Sequence, residues 1–301
     1  MSDTTILDRL DSFLDRDSPQ LATFLQSTWS YQQSAITYHE LKDAILTGEL
    51  SMDYMLQWQQ DYSHFVVQHY APIAQSVIET AARHLSMEYG GMLKDPYIGA
   101  MDNFINQRGA KLVREISTDQ FRAINTLVKQ ASLSATMTVD ELAHAIRPCI
   151  GLTRRQAQAT HNYYQRMRAQ YYQGYIDAGK TPKQAATLAS GQARQRQATY
   201  AAKMHRQRAA TIAQTEMAFA YNAAAEEVIR HNVDAGIVSP DVKKRWLTAE
   251  DERVCKECGA LEGEMVDMDT AFSNGAQRPP AHPLCRCAIA YDLSRPEPAS
   301  A

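Results

Sequence analysis

The chain has 301 residues, of which 45% are hydrophobic and 22% are charged, and its formal net charge is −3. These values are ordinary for a soluble protein of one or two domains and leave room for a hydrophobic core. No run of 18 apolar residues occurs, which excludes a membrane-spanning helix, and no basic region followed by an apolar one opens the chain, so we expect no signal peptide. We therefore expect the protein to fold in a reducing cytoplasm.

The first half of the chain, residues 1–145, has the composition of a helical region. Strong helix formers dominate, Gly and Pro are sparse, and apolar residues such as Ile6, Leu10 and Phe13 recur at helical spacing. Pro72 interrupts a longer apolar pattern and is expected to kink or divide that helix. This half shows no cluster of chemically reactive side chains, so we interpret its aromatic residues as core.

Four capping boxes predict the helices that follow. In this motif, Ser or Thr precedes Glu or Gln by three residues, and the two side chains pair with free N–H groups at the start of a helix. The pairs are Ser117 with Gln120, Thr138 with Glu141, Thr153 with Gln156 and Thr181 with Gln184. They predict helices near 118–131, 139–147, 154–178 and 182–234. The last helix is expected to end at Gly236, with a potential break at Ser190-Gly191.

The stretch from Arg147 to Arg208 is strongly basic, because it holds twelve Lys and Arg residues and one acid, Asp177, for a formal charge of +11. Such a stretch is typical of contact with phosphates or with an acidic protein surface. A solvated helix face, with Tyr164 and Tyr171 in a half-buried stripe, is the alternative interpretation. No base-reading module is recognisable. The candidate contact residues are Arg154, Arg155, Arg166, Arg168, Arg194, Arg196, Arg206 and Arg208.

After Pro240 the sequence pattern changes from helical to strand-like. The segments 244–249, 264–268 and 287–293 each predict a short strand, and the tail, 294–301, is expected to be disordered. The predicted fold is therefore mainly α with a small α+β C-terminal unit: a helical N-terminal body, long helices and a short three-stranded sheet clamped by a zinc site.

Four of the five cysteines lie in two motifs of this C-terminal unit, Cys255-Lys-Glu-Cys258 and His282-Pro-Leu-Cys285-Arg-Cys287. Each motif places two soft or borderline donors on one turn, and four such donors satisfy tetrahedral zinc. Five donors compete for four positions, so one of Cys285 and Cys287 is expected to bind while the other packs. A disulfide or redox C-x2-C pair and free buried thiols are the alternatives. A catalytic zinc would need an open position and a nearby base, for which the carboxylates of residues 250–264 are weak candidates.

These segments resemble one family, the phage Mu protein F-like head morphogenesis or minor capsid proteins. The resemblance is carried by Ile150-Gly-Leu-Thr-Arg-Arg-Gln-Ala157, by Ile212-Ala-Gln-Thr-Glu216, by the segment from Trp246 to Gly263, and by Pro279-Pro-Ala-His-Pro-Leu-Cys-Arg-Cys287, of which the last is the most specific. Gln214 stands where the family usually has Arg. The similarity covers about half of the chain. It predicts a Mu F-like domain over 146–293, made of basic helices (146–235) and a Cys/His unit (240–293), after a helical N-terminal region (1–145).

The resemblance implies a non-enzymatic structural role. A protein of this family is expected to act in head assembly, at the portal vertex or in the capsid interior, with DNA packaging or retention as a further implied role. The implied partners are the portal protein, other head or scaffold proteins and phage DNA, with no membrane and no small-molecule substrate. The implied location is the host cytoplasm during assembly and then the virion. The alternatives are a zinc-stabilised nucleic-acid-binding protein outside any particle and a metal-dependent nuclease or hydrolase.

Four further residues of the family motifs have structural interpretations. Trp246 belongs to the strand-like segment before the first Cys pair. Glu216 is expected to pair with an arginine such as Arg208 or Arg245, in preference to a catalytic role. Asp251 is expected to cap the loop before Cys255, and Arg286 to neutralise a thiolate-rich zinc centre.

Overall fold

The protein is 74% helical, and in the part of the chain that the structure describes the strands form one three-stranded antiparallel sheet near the C-terminus, which confirms the predicted fold class. The computed structural model describes residues 3–88, 98–134, 137–249, 251–252 and 254–293. The predicted disordered tail lies outside the described residues. The helices are α1 (Asp3–Ala35), α2 (Tyr38–Thr47), α3 (Met52–Phe65), α4 (Ala71–Glu88), α5 (Ile98–Ser132), α6 (Val139–Ile146), α7 (Arg154–Asp177), α8 (Pro182–Asp234) and the short α9 (Lys256–Gly259).

Three of the four predicted capping boxes start helices. Glu141 N–H donates to Thr138 Oγ1 over 3.2 Å, and Thr138 N–H donates back to the Glu141 carboxylate over 3.0 Å. The same reciprocal pair opens α7 at Thr153 and α8 at Thr181. Each pair satisfies two N–H groups that the first turn of a helix leaves free, which is why the sequence pattern located these starts.

The prediction that the fourth capping box, Ser117 with Gln120, starts a helix is wrong. Ser117 lies deep inside α5, where its hydroxyl donates to the Val113 carbonyl over 2.7 Å, a bond that a mid-helix Ser makes within its own turn. The helix continues through this position because apolar side chains before it, among them Leu112 and Ile116, are buried. A capping box that the sequence analysis did not identify opens α2 at Thr37.

Two expected interruptions have different outcomes. A five-residue π-helical segment, Val66–Tyr70, separates α3 from α4 just before Pro72, a residue that has no N–H to donate to the preceding turn. The break at Ser190-Gly191 does not occur, because α8 runs through it with Ser190 buried and donating its hydroxyl to Glu141 over 2.6 Å. Helix α8 ends as predicted before Gly236, whose φ of 70° suits a residue without a Cβ.

The chain forms two compact units. The first contains residues 1–22, 67–109 and 210–301, and the second contains residues 23–66 and 110–209. Within the second unit, Trp29 Nε1 donates to the buried Tyr62 hydroxyl over 2.8 Å, and Tyr62 donates to Gln120 over 2.6 Å. Among the described residues, no helix contains an apolar stretch long enough to cross a bilayer.

The first unit holds the sheet. Its strands are β1 (Lys243–Leu247), β2 (Met265–Asp267) and β3 (Ala288–Asp292), in the spatial order β2-β1-β3. Trp246 on the central strand is fully buried and meets Phe272 edge-on, with ring centroids 5.0 Å apart. The same apolar core includes Cys258, Cys285 and Cys287. The core of this unit therefore extends to the predicted metal donors.

Candidate metal centre

The first pair of donors is presented by the one-turn helix α9. Cys255 is the N-cap of this helix, and the Cys258 N–H donates to its sulfur over 3.3 Å. This backbone hydrogen bond lowers the pKa of Cys255, because it stabilises the thiolate. Two residues between the cysteines are just enough for the chain to turn, so both sulfurs face the same side.

The second pair is presented by a tight turn ahead of β3. Cys285 N–H donates to the His282 carbonyl over 3.2 Å, which closes the turn. Leu284, inside it, has a φ of 63°, the left-handed region that residues with a Cβ rarely adopt. The Leu284 N–H donates to Thr215 Oγ1 on α8 over 3.1 Å, so the helix helps to hold this conformation.

The two turns bring the donors together. His282 Nε2 lies 3.1 Å from the sulfurs of both Cys255 and Cys258, and Cys258 Sγ lies 3.7 Å from Cys285 Sγ. The donors form two overlapping groups that share Cys258, one with Cys255 and His282 and the other with Cys285 and Cys287, and the donor atoms within each group lie within 4.8 Å of one another. A tetrahedral zinc with bonds of about 2.3 Å to sulfur separates its sulfurs by roughly 3.8 Å. The spacing therefore fits a metal ion.

The orientation of His282 also suits a metal ligand. Its Nδ1–H donates to the Pro283 carbonyl over 2.9 Å, and Nε2, which faces the cysteine sulfurs, is the nitrogen that would bind a metal ion. Metal-bound imidazoles usually make such a hydrogen bond through their other nitrogen. Burial lowers the pKa of His282, but the bond to Pro283 and the nearby thiolates of Cys285 and Cys255 outweigh it, so the net shift is upward. The same negative charge that raises this pKa would attract a cation.

The sulfurs differ in protonation before any metal binds. A hydrogen bond from Cys287 lowers the pKa of Cys285 to about 5, whereas the same bond raises the pKa of Cys287. Burial and the neighbouring Cys285 thiolate raise the pKa of Cys258. All five cysteines are free thiols, and the 3.7 Å between Cys258 and Cys285 is too long for a disulfide bond of about 2.05 Å. The lowered pKa of Cys285 favours a thiolate at that position, and binding a cation would release protons from the other thiols.

A cavity of about 340 Å³ borders the sulfurs, and Arg286 and Asp251 are among its lining residues. Arg286 pairs with Asp11 through two hydrogen bonds and with Asp251 through a third of 2.9 Å. Two carboxylates thus compensate this guanidinium, and its expected role toward thiolates stays a prediction. The expected side-chain capping by Asp251 also stays a prediction, because the bond within its loop, from Val254 N–H, goes to its backbone carbonyl.

The neighbouring carboxylates hold loops in place. Glu262 accepts from the Thr248 N–H over 2.6 Å, and Glu264 accepts from both the N–H and the hydroxyl of Ser273. These bonds connect the ends of β1 and β2 to their loops. Glu250, another candidate acid, lies outside the described residues. Glu262 and Glu264 therefore both have structural partners.

Glu216 pairs with an arginine, as expected, but its partner is one that the sequence did not suggest. The guanidinium of Arg108 donates two hydrogen bonds of 2.6 Å to its carboxylate and lies over the Phe219 ring, 3.7 Å from the centroid. The expected partner Arg208 instead donates to the Gly151 carbonyl and pairs with Asp119. The missed partner lies 108 positions away on another helix, and no local pattern marks it.

The predicted contact arginines fall into three groups by exposure. Arg208 is buried, while Arg168 and Arg194 are half-buried. Arg168 also pairs with Glu141 over 3.1 Å, so it has a structural role within the second unit. The exposed members are Arg154, Arg155, Arg166, Arg196 and Arg206. Only these five of the eight predicted residues have the exposure that a contact surface requires.

The fold and the site together define a class of protein. It is mainly helical, and its C-terminal sheet unit brings one histidine and four cysteines together. The family model described as "Phage Mu protein F like protein" matches residues 123–290, more than half of the chain. The chain belongs to this family, which confirms the resemblance seen in its motifs. Searches of curated proteins and of solved structures found no match. Membership indicates a phage head morphogenesis protein.

Proposed function

We propose that this chain is a non-enzymatic minor head protein that acts in phage head assembly, with its C-terminal unit held together by a structural zinc ion. The family match supports the assembly role, and the clustering of one histidine and four cysteines in two overlapping donor groups supports the metal. Zinc bound here would cross-link two distant chain segments and so supply folding stability.

We further propose that Cys255, Cys258, His282 and Cys285 are the ligands and that Cys287 packs beside them. His282 Nε2 lies 3.1 Å from the sulfurs of both Cys255 and Cys258, and Cys285 lies on the same turn as His282 and 3.7 Å from Cys258. Cys287 directly precedes β3, and its carbonyl accepts from the Asn222 side chain over 3.3 Å. Cys285 shares the turn of His282, through its N–H bond to the His282 carbonyl, which favours Cys285 over Cys287 as the fourth ligand.

The finer parts of the proposal concern location and partners. The protein would act in the host cytoplasm during assembly and remain in the virion, at the portal vertex or in the capsid interior, bound to the portal protein and other head or scaffold proteins. We also propose that residues 1–145 and 146–293 are two sequence modules. Each compact unit of the fold contains residues from both modules.

Quantitative mass spectrometry of purified procapsids and DNA-filled heads tests the assembly role. We expect a few copies of the protein per particle, and none in particles made without the portal protein. Copies that persist without the portal would contradict the portal location while leaving a place in the head. Absence from every particle would refute the assembly role and favour a nucleic-acid-binding protein that works outside particles.

Metal content separates the zinc proposal from the assembly proposal. Cys258→Ser should lose zinc, measured by elemental mass spectrometry, and should lower the protection of residues 240–293 from hydrogen exchange. Cys149→Ser is the matched control, because Cys149 is a buried thiol of the second unit that donates to backbone carbonyls and lies outside the cluster. A wild-type protein that folds fully after chelation, or a Cys258→Ser variant that retains zinc, would refute the proposed site.

A further inference from the structure

One face of the hairpin formed by α7 and α8 is an exposed, positively charged surface. Tyr163 and Tyr200 stack across the two helices with ring centroids 4.7 Å apart and planes 12° apart. Around them lie four exposed cations, Arg155 and Arg166 on α7 and Arg196 and Lys203 on α8. We call these six residues the hairpin face.

Helix geometry aligns the two cations of each helix. Arg155 and Arg166 are eleven residues apart, which at 100° per residue returns to within about 20° of the same direction and covers about 16 Å. Arg196 and Lys203, seven residues apart, also share a direction within about 20° and cover about 10 Å. Because the helices are antiparallel, Arg166 and Arg196 flank the tyrosine pair on the side of the hairpin loop, and the other two cations flank it on the opposite side.

Tyrosine side chains contact two of the cations, and the stacked tyrosine rings already have covered faces. The Arg166 guanidinium lies 5.4 Å from the centroid of the Tyr163 ring, and Arg196 donates to the hydroxyl of another tyrosine, Tyr171, over 3.2 Å. One face of each stacked ring is covered by its partner ring, and Arg166 lies over the Tyr163 ring as well. These rings are therefore poorly placed to stack on unpaired bases, the usual role of aromatic residues in single-strand binding.

Charge is strongly segregated along the chain. Residues 147–208 carry a formal +11 while the whole chain carries −3, so all other residues together carry −14. The exposed cations of this stretch are Arg154, Arg155, Arg166, Lys180, Lys183, Arg196, Lys203 and Arg206. A basic patch on a protein that is acidic elsewhere is the electrostatic signature of polyanion binding.

We propose that the hairpin face binds the phosphate backbone of double-stranded DNA without reading its sequence. Duplex DNA presents about one negative charge per 1.7 Å, so cations spread over about 16 Å meet several phosphates at once. An acidic protein partner fits less well, because protein interfaces are built on a central apolar or aromatic patch, and here the central rings are stacked on each other. DNA binding by this face does not depend on whether the protein enters a particle.

The test compares two variants with the same change in charge. The first replaces Arg155, Arg166, Arg196 and Lys203 by Gln. The matched control replaces Lys111, Arg114, Arg122 and Lys129 by Gln, four exposed cations on α5 in the same compact unit. Fluorescence anisotropy would measure the affinity for a labelled 30-base-pair duplex of arbitrary sequence over a range of salt concentrations, after circular dichroism has shown that both variants are folded.

Each lost phosphate contact reduces the magnitude of the negative slope of log affinity against log salt by about 1. The slope of the first variant should therefore be about 4 less steep than that of the wild type, and its affinity at low salt should fall at least about tenfold. The control should keep the wild-type slope. Equal losses in both variants, or a wild-type protein without salt-dependent binding, would overturn the proposal. Competition by polyglutamate as effective as that of unlabelled duplex would overturn it in favour of an acidic protein surface. The particle experiment has a separate readout, so failure of either proposal can be recognised by itself.

Discussion

Replacing Arg108 by Met should destabilise the first unit more than a surface substitution does, because it removes an ion-pair partner of the buried Glu216 carboxylate. The Glu216 side chain is 4% exposed and that of Arg108 is 13% exposed, and both hydrogen bonds between them are 2.6 Å long. Met keeps the aliphatic part of Arg108 against Phe219 but removes the guanidinium. The exposure of the pair decides the size of the effect, since exposed ion pairs contribute about 0–1 kcal/mol.

Breaking one side of a buried ion pair costs about 3–5 kcal/mol, most of which is the penalty of the remaining charge. For a domain of 150–250 residues this corresponds to a fall in melting temperature of roughly 6–20 °C. Glu216→Gln should cost less, about 1–3 kcal/mol, because its amide oxygen still accepts a hydrogen bond from the guanidinium. The double variant with Met at 108 and Leu at 216 should recover much of the loss, since neither residue then buries a charge.

Urea unfolding followed by circular dichroism and tryptophan fluorescence would measure the wild type, Arg108→Met, Glu216→Leu and the double variant, which together form a double-mutant cycle, with Glu216→Gln measured beside them. The exposed pair Lys111–Glu115, whose charged atoms lie 3.7 Å apart, supplies the control, and Lys111→Met should change the free energy of unfolding by less than about 0.5 kcal/mol. A loss below about 1 kcal/mol for Arg108→Met would refute the reasoning. A double variant as unstable as the sum of the two single variants would show that the residues act independently.

Two further predictions concern the second unit. Gly151→Ala should destabilise the protein by roughly 2–4 kcal/mol in thermal unfolding, because Gly151 has a φ of 91° and a Cβ there would lie 2.5 Å from the Trp29 ring. Gly191→Ala, inside α8 with open space around it, should instead be neutral or slightly stabilising, and equal effects of the two changes would contradict this explanation. Burial lowers the pKa of His161 to about 4 from an unfolded value of about 6.5, so the unfolded chain binds the extra proton between these pH values. Stability should therefore fall by up to about 3 kcal/mol as the pH drops from 6.5 to 4, and a His161→Gln variant with an unchanged pH profile in that window would show that this residue is not the cause.

The helices were predictable where a local chemical rule decides the outcome. The reciprocal bonds at Thr138, Thr153 and Thr181 involve residues three positions apart, so the sequence contains all the partners. Ser117 obeys the same spacing, yet it lies inside α5 because buried apolar residues before it continue the helix. Capping chemistry therefore indicates where a helix can start, while burial along the preceding turn determines whether it does.

The clustering of the candidate metal donors was predictable for a similar reason. Two intervening residues in each Cys or His pair force a turn, and the clustering of the two motifs in the last sixth of the chain suggested one ion. What sequence spacing could not provide was the contact between chain segments far apart. The partner of Glu216 and the two carboxylates on Arg286 come from the packing of distant chain segments, which no spacing rule in a single sequence encodes.

The contacts of α8 connect two of the family motifs. Thr215, next to Glu216, accepts a hydrogen bond from Leu284 within the His282–Cys285 turn, and Asn222, two turns further along α8, donates to the carbonyl of Cys287. The first bond supports a left-handed residue that would otherwise favour another conformation, and the second anchors the chain where it enters β3. The Ile-Ala-Gln-Thr-Glu helix thus positions the backbone of the Cys-Arg-Cys segment. A metal ion at the cluster would then join a turn already held by α8 to the otherwise separate turn of α9, so its binding energy would be spent on fixing Cys255 and Cys258.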